Sequence, residues 1–163
     1  AHFFSPVLFD DVNFASTPYD PRISYGQAKT ATALFAVGLD ARGSERGIHS
    51  YSVHPGGIMT NLQRHMPREV LLERGWIDAD GNPNPRFKTP AEGAATGLWA
   101  ATAPELAERG GVYCADSSVN GIVPDDFTEQ TSTAAKLWAI DIDAADRLWE
   151  ISVGATGLDM FRG

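Results

Sequence analysis

"ISYGQAKTATALFAVGLDARG", residues 23–43, has the periodicity of an amphipathic helix and carries a Tyr four positions before a Lys. We predict a helix over 24–42, with Ser24 as its N-cap residue and Gly43 as its end. The apolar positions at helical spacing are Ala28, Ala31, Leu34, Phe35, Val37, Gly38 and Leu39. The remaining elements can be placed relative to this helix.

A short turn and a buried strand follow the helix. In "IHSYSVHPGG", residues 48–57, the apolar positions favour a strand over 48–53 that Pro55 and Gly56 end. A second strand is predicted over 112–114, within "ERGGVYCADSS". A helix, a turn, a strand and a Gly-rich loop in this order form half of an alternating unit, so the predicted fold class is α/β.

Loops and shorter helices are predicted around this unit. Residues 1–22 contain three Pro and no sustained period, and they are predicted to form a long loop. Residues 61–90 are polar and Pro-rich, with a short helix over 68–75, and are interpreted as an insert that covers a pocket as a substrate lid. Thr89 then has the sequence context of a helix N-cap, because a Glu follows three residues later.

Apolar side chains of the insert and of the last helix are assigned to a pocket or to a core. The last helix is predicted within "DIDAADRLWEISVGATGL", residues 141–158. The side chains predicted to face a core are Leu148, Trp149, Ile151 and Val153, together with Trp99 of the preceding helix. Those predicted to line a pocket or its lid are Trp76, Met66, Leu71 and Leu72. Apolar lid contacts favour a hydrophobic substrate.

Composition and charge exclude several classes of function. The chain has 163 residues, a formal net charge of −8 and no cluster of Lys or Arg, which argues against a nucleic-acid partner. Its one Cys and four scattered His show no metal-binding spacing, so no metal is predicted. No apolar run is long enough to span a membrane and no signal peptide is recognisable, so we expect a cytoplasmic location. The opening "AHFFSPVLFDDVNF" lacks an initiator Met, and we expect residues to precede it.

Tyr25 and Lys29 are the candidate catalytic pair. Residues i and i+4 share a helix face, with Cβ atoms about 5–6 Å apart, so both side chains can point into one cleft. An ammonium group near a phenol favours the phenolate, which suits an acid/base catalyst. For the pair alone, the alternative interpretation is a Tyr25 that packs at the helix start and a solvated Lys29.

The strand-ending sequence "PGGIMT", residues 55–60, follows the Tyr-x-x-x-Lys helix by one turn and one strand. In this order and spacing the two motifs resemble the short-chain dehydrogenase/reductase family. "AH" at 1–2, "VHPGG" at 53–57 and "AADRLWEIS" at 144–152 resemble its retinol-dehydrogenase-like and WW-domain-oxidoreductase-like branch. The resemblance covers nearly the whole chain, and it implies the C-terminal half of a Rossmann-type, doubly wound parallel sheet.

The resemblance implies an NAD(P)-dependent oxidoreductase that interconverts an alcohol and a carbonyl. Tyr25 would be the acid/base that exchanges a proton with the substrate oxygen. Lys29 would hold the nicotinamide ribose and favour the phenolate of Tyr25. The substrate would be a small hydrophobic alcohol or carbonyl compound.

The loop after the first strand would wrap the nicotinamide end of NAD or NADP. Its cofactor-binding residues would be Pro55, Gly56, Gly57 and Thr60. For the two glycines, an ordinary strand-ending turn is the alternative interpretation. We interpret His54 as a core or supporting residue and assign it no catalytic role.

The sequence departs from the family pattern in its N-terminal half. It contains neither the Gly-rich turn that binds pyrophosphate nor the Asn-Asn-Ala-Gly-like stretch. The family's catalytic Ser would fall just before Ala1, and Ser5 is in the wrong position to replace it. We therefore interpret residues 1–163 as a partial single domain without its N-terminal cofactor-binding half, and we predict that it is inactive by itself.

A partial domain of this kind would need a partner. The two predicted strands would be outer strands of the parent sheet and would leave a long unpaired edge. We therefore expect a homo-oligomer or a completing chain. The alternative function is a non-catalytic remnant of the fold that serves as an interaction or assembly module. The choice between NAD and NADP depends on a residue after the second strand of the parent fold, in the absent half.

Overall fold

The structure is a computed structural model that describes residues 1–129, 131 and 133–161. Its α-helices in this part of the chain are α1 (Pro21–Gly43), α2 (Arg68–Glu73), α3 (Pro90–Thr102) and α4 (Ile142–Thr156). Its strands there are β1 (Tyr51–His54), β2 (Val112–Ala115), β3 (Ser118–Val119), β4 (Gly121–Val123) and β5 (Ala134–Lys136).

The strands form two small sheets with parallel pairs. β1 and β2 are parallel, with Tyr51 opposite Val112 and His54 opposite Ala115, and β3 adds to β2 as an antiparallel strand. β4 and β5 form a second parallel pair. Because α3 lies in the connection between β1 and β2, these elements form a βαβ unit. The predicted α/β class is confirmed, and the arrangement is part of a Rossmann-like fold.

The start of α1 lies earlier in the sequence than predicted. Asp20, not Ser24, is the N-cap residue, and its Oδ1 accepts hydrogen bonds from the backbone N–H groups of Arg22 (2.8 Å) and Ile23 (2.9 Å). Pro21 occupies the first helical position, where its fixed φ suits a helix and its missing N–H costs nothing. Since Asp and Ser are about equally good N-caps, the Pro at the first helical position favours the start at Asp20.

The two faces of the β1–β2 pair have different environments. On one face, α3 and the turn after it bury Ala100 and Leu106 against Cys114. Side chains alternate along a strand, so the neighbours of Cys114 point the other way. Tyr113 and Ala115 accordingly pack with Ala135 of β5.

α1 and α4 pack against each other through Leu34 and Ala145. The predicted core position of Trp149 is confirmed, since 8% of this residue is exposed. The prediction for Ile151 was wrong, because 37% of it is exposed on the outer side of α4. Phe35, although it belongs to the apolar pattern of α1, is 46% exposed and stacks on Trp149 with ring centroids 5.4 Å apart.

The strand predictions needed two corrections. β1 begins at Tyr51 rather than at 48, because the N–H of Ser50 donates to the Asp40 carboxylate (3.2 Å) and the N–H of Ile48 donates to the carbonyl of Gly43 (3.0 Å). These bonds hold the residues before Tyr51 in the turn after α1. The described part of the chain also contains β3, β4 and β5, so the prediction of only two strands was wrong.

The capping box of α3 is confirmed. The N–H of Glu92 donates to Thr89 Oγ1 (3.2 Å), and the N–H of Thr89 donates to Glu92 Oε2 (2.7 Å). Trp99 of this helix is partly buried against the cluster around Cys114. In the described part of the chain, no helix has the length and apolarity that crossing a membrane requires.

The N-terminal segment is a loop with a single 3₁₀ turn at His2–Phe4, and α1 fixes it in place. Thr30 is fully buried and donates to the carbonyl of Ser5 (2.7 Å). Gln27 donates to the carbonyl of Val12 (3.0 Å) and accepts from the N–H of Leu8. The polar residues of α1 thereby hold the segment beside the carboxyl end of β1.

Candidate functional site

A cavity of about 540 Å³ lies between α1, the end of β1 and the insert. This volume is within the range of about 300–1,000 Å³ that is usual for ligand pockets. All six residues predicted for the site line it, namely Tyr25, Lys29, Pro55, Gly56, Gly57 and Thr60. The structure therefore brings together residues of one helix and one loop that are separated by about a strand and a turn.

Tyr25 and Lys29 lie one turn apart on the face of α1 that borders the cavity. The Lys29 Nζ is 5.5 Å from the centroid of the Tyr25 ring. Tyr25 is 46% exposed, so its hydroxyl can be reached by a ligand in the cavity. Among the lining residues that the structure describes, Lys29 is the single Lys or Arg. The arrangement places one ammonium group beside one accessible phenol.

The loop after β1 turns sharply at Gly56, whose φ of +93° lies in the region that favours glycine. The N–H of Gly56 donates to Nδ1 of His54 (3.0 Å). His54 Nδ1 thus acts as an acceptor, and burial, as the main cause, lowers the pKa of this imidazole. His54 supports the turn in its neutral form, and it also lines the cavity.

Thr60 lies at the start of a 3₁₀ helix, Asn61–Gln63, and its hydroxyl is engaged there. Thr60 Oγ1 accepts from the N–H of Leu62 (3.2 Å), while Gln63 Oε1 accepts from the N–H of Thr60 (2.9 Å). This capping box fixes the direction in which the insert leaves the loop. The hydroxyl is 3.5 Å from Gln63 Oε1, a long hydrogen bond that a ligand could replace.

Two buried aromatic residues of the wall were not predicted. Burial lowers the pKa of His2 to about 4, and its ring packs edge-on against Tyr113 with centroids 5.1 Å apart. Burial raises the pKa of Tyr113 to about 12. Both side chains are therefore neutral near pH 7. They are 111 positions apart in the sequence, and only the tertiary fold brings them to the cavity.

Of the four side chains predicted for the pocket or its lid, one lines the cavity and three do not. Trp76 lines the cavity, and its ring meets Phe87 edge-on with centroids 5.8 Å apart. The predicted lid residues Met66, Leu71 and Leu72 do not line the cavity, because they lie on or beside the short helix α2, away from it. In their place, the apolar end of the cavity is formed by Ile58, Leu62, Trp76 and Phe87. The insert thus contributes apolar side chains to the wall from its start, its middle and its end.

A second cavity, of about 550 Å³, lies beside the start of α1 and contains none of the predicted site residues. Its buried Lys136 donates to the carbonyls of Asp125 and Phe127 and lies near the rings of Phe3 and Trp138. These contacts use the ammonium group to hold the chain before β5. In residues 1–129, 131 and 133–161, no group of His, Cys, Asp and Glu side chains could hold a metal ion.

Comparisons with known proteins give relatives over most of the chain. A probable oxidoreductase of Streptomyces lividans is 42% identical over 152 residues, which are 92% of this chain and 50% of that protein. The short-chain dehydrogenase/reductase prx1 of Penicillium roqueforti is 36% identical and covers 93% of this chain and 43% of its own length. Human retinol dehydrogenase 14 is 31% identical, with 84% of this chain and 39% of that protein covered. The chain spans about half the length of the curated relatives it matches.

A solved structure shares the fold. The crystal structure of an uncharacterized protein from Mycobacterium paratuberculosis matches with a TM-score of 0.61 and 22% identity. The match covers 99% of this chain and 48% of that protein. No family model matches the chain.

Proposed function

This chain is a relative of the short-chain dehydrogenase/reductases, and we propose that it carries the acid/base and nicotinamide-side part of an NAD(P)-dependent oxidoreductase. The observation that carries the proposal is the single cavity wall formed by Tyr25, Lys29 and the loop from Pro55 to Thr60. The substrate class is a small hydrophobic alcohol or carbonyl compound, which the apolar end of the cavity at Trp76 favours.

Tyr25 is the proposed acid/base. In the oxidation direction, its phenolate would accept the proton of the substrate hydroxyl, and the carbon that bears this hydroxyl would lose a hydride to the oxidised nicotinamide, so that a carbonyl forms. In the reduction direction, its hydroxyl donates the proton to the substrate oxygen. The Lys29 ammonium lies beside the ring of Tyr25, with its Nζ 5.5 Å from the ring centroid.

The residues present fit a nicotinamide cofactor, which supplies the hydride chemistry when it is bound. Gly56 and Gly57 line the cavity, and a Cβ on Gly57 would lie 3.2 Å from the Phe87 ring of its wall, so the glycine there leaves backbone that a flat ring can approach closely. Lys29 and Thr60 both line the cavity, and in this proposal Lys29 holds the ribose hydroxyls while Thr60 offers a hydroxyl at the far end of the loop. The 163 residues contain no Gly-rich pyrophosphate turn, so we propose that they do not turn over a substrate by themselves.

The open edge of β1 favours a completing strand. β1 pairs with β2 along one edge, and in the described part of the chain no strand pairs with the other edge. Val53 is 39% exposed there. An unpaired strand edge is a template for further pairing, so a completing chain or a second copy is the proposed partner. The intact mass of the native protein, set against the 17.5 kDa of this chain, tests whether the completing strands are covalently joined.

Substitution of Tyr25 tests the proposed role. In the native protein at its natural length, Tyr25→Phe should lower kcat by about 10²–10⁴-fold, the usual worth of acid/base catalysis, and leave the Kd for NAD(P)H nearly unchanged. Lys29→Ala should both lower kcat and raise the Kd for NAD(P)H. Turnover is followed by nicotinamide absorbance with a panel of alcohols and ketones.

The matched control is Tyr19→Phe. Tyr19 is 68% exposed, lies six residues before Tyr25 and does not line the cavity. This variant should keep full activity. Activity of Tyr25→Phe comparable to that of the parent protein contradicts the proposed role, and retention of cofactor binding without any turnover in the parent protein favours the non-catalytic alternative.

A further inference from the structure

The end of the insert runs alongside the loop after β1 and contacts it directly. The N–H of Lys88 donates to the carbonyl of Gly57 (2.8 Å), and Lys88 forms a β-bridge with Ile58. The Lys88 side chain passes so close to Gly56 that a Cβ there would lie 2.8 Å from its Cδ and 3.0 Å from its Cε. Phe87 covers Gly57 in the same way, at 3.2 Å. Residues 87 and 88 therefore lie directly against the two glycines of this loop.

The Lys88 ammonium is paired with the Asp116 carboxylate, on the turn that joins β2 to β3. Asp116 and Ser117 have φ values of +50° and +52°, which few non-Gly residues adopt. The N–H of Ser117 donates to the buried Thr96 Oγ1 of α3 (3.2 Å), so this turn is fixed on a helix. Lys88 thus connects the loop to a rigid point of the fold that lies 28 residues away in sequence.

We propose that the Lys88–Asp116 pair positions the loop of residues 55–58 for the nicotinamide cofactor. This inference rests on the proposed function. Neither residue lines the cavity, so both act through Gly56 and Gly57 and are positioning residues. The Lys88 ammonium binds the Asp116 carboxylate on the turn, and the methylene chain of Lys88 packs against the loop.

A second ion pair of the chain provides a matched control. Arg42 and Asp146 are joined at 2.9 Å, and their side chains are 22% and 54% exposed. The corresponding values for Lys88 and Asp116 are 30% and 51%. The two pairs are thus equally screened by solvent, but the control pair lies between α1 and α4, away from the loop.

The test compares cofactor affinity in the native protein at its natural length. Lys88→Met keeps the chain over Gly56 and removes the charge, Asp116→Asn keeps a residue that tolerates a positive φ, and Asp146→Asn is the control. Titration with NADH and with NADPH, followed by nicotinamide fluorescence, gives the Kd. Thermal unfolding of each variant separates a local effect from a loss of stability.

We expect Lys88→Met and Asp116→Asn each to raise the Kd by about three- to tenfold, with no larger effect in the double variant. Lys88→Arg, which can still bind the carboxylate, should keep the Kd within about twofold of the parent value. The inference is overturned if Lys88→Met and Asp116→Asn leave the Kd unchanged. It is also overturned if the control Asp146→Asn raises the Kd equally. Neither outcome affects the proposed function. Failure of the parent protein to bind either cofactor overturns the proposed function with it.

Discussion

Two glycines of α3, one turn apart, should respond in opposite ways to the same substitution. A Cβ on Gly93 would overlap Cδ1 of Ile58 and would lie 3.0 Å from its Cγ1, whereas a Cβ on Gly97 would meet nothing within 4 Å. Gly93 is buried and Gly97 is exposed. The comparison isolates the contact with Ile58, because both variants carry the same substitution in the same helix.

The expected magnitudes follow from this geometry. Gly→Ala in a helix interior stabilises a protein by about 0.5–1 kcal/mol when space is available, so Gly97→Ala should raise the free energy of unfolding by that amount. Gly93→Ala has the same backbone gain, but overpacking typically costs about 1–3 kcal/mol. The two variants should therefore differ by about 1–3 kcal/mol, with Gly93→Ala the less stable.

Urea unfolding followed by Trp fluorescence measures this difference, provided that the m-value is unchanged. Ile58→Val removes Cδ1, so it should cost less stability in the Gly93→Ala background than in the parent protein. Equal stabilisation by Gly93→Ala and Gly97→Ala would refute the reasoning. An equal cost of Ile58→Val in both backgrounds would also refute it, because the contact would then not be the cause.

Two further predictions concern buried titratable groups. Burial, as the main cause, lowers the pKa of His2 from 6.5 to about 4, so the unfolded chain takes up its proton first, and the free energy of unfolding should fall as the pH decreases from 6.5 to 4, by at most roughly 3 kcal/mol. In urea titrations at a series of pH values, His2→Gln should make the free energy of unfolding depend less steeply on pH. An unchanged pH dependence would show that other groups cause it. Burial also raises the pKa of the Cys114 thiol, which should react with Ellman's reagent only in denaturant; rapid reaction of the native protein would contradict its placement.

The helix that carries the site could be predicted because its signals are local. The i, i+4 spacing of Tyr25 and Lys29 fixes their common face once the helix is established, and the structure places both on the cavity. The N-cap was misplaced at Ser24 because a hydroxyl and a carboxylate cap compete within four residues. Asp20 prevails with the help of Pro21.

The strands and walls that were missed depend on contacts distant in sequence. β3, β4 and β5 contain two or three residues each, too few to show a period of two, and they exist because a partner strand pairs with them. His2 and Tyr113 meet across 111 positions of the chain, and no local pattern connects them. Ile151 fits the apolar period of α4, yet no neighbouring element in the described part of the chain covers it.

The candidate site is thus held by two kinds of support. α1 alone sets the relation of Tyr25 to Lys29, through the rigid geometry of one helical turn. The loop of residues 55–58 depends instead on Lys88 and on Gly93, which approach it from the insert and from α3. Since neither of these residues lines the cavity, changes in them should alter cofactor affinity and leave proton transfer intact, whereas Tyr25→Phe should do the reverse. A variant of the loop support that lowers kcat without changing the cofactor Kd would show that the two supports are not separate.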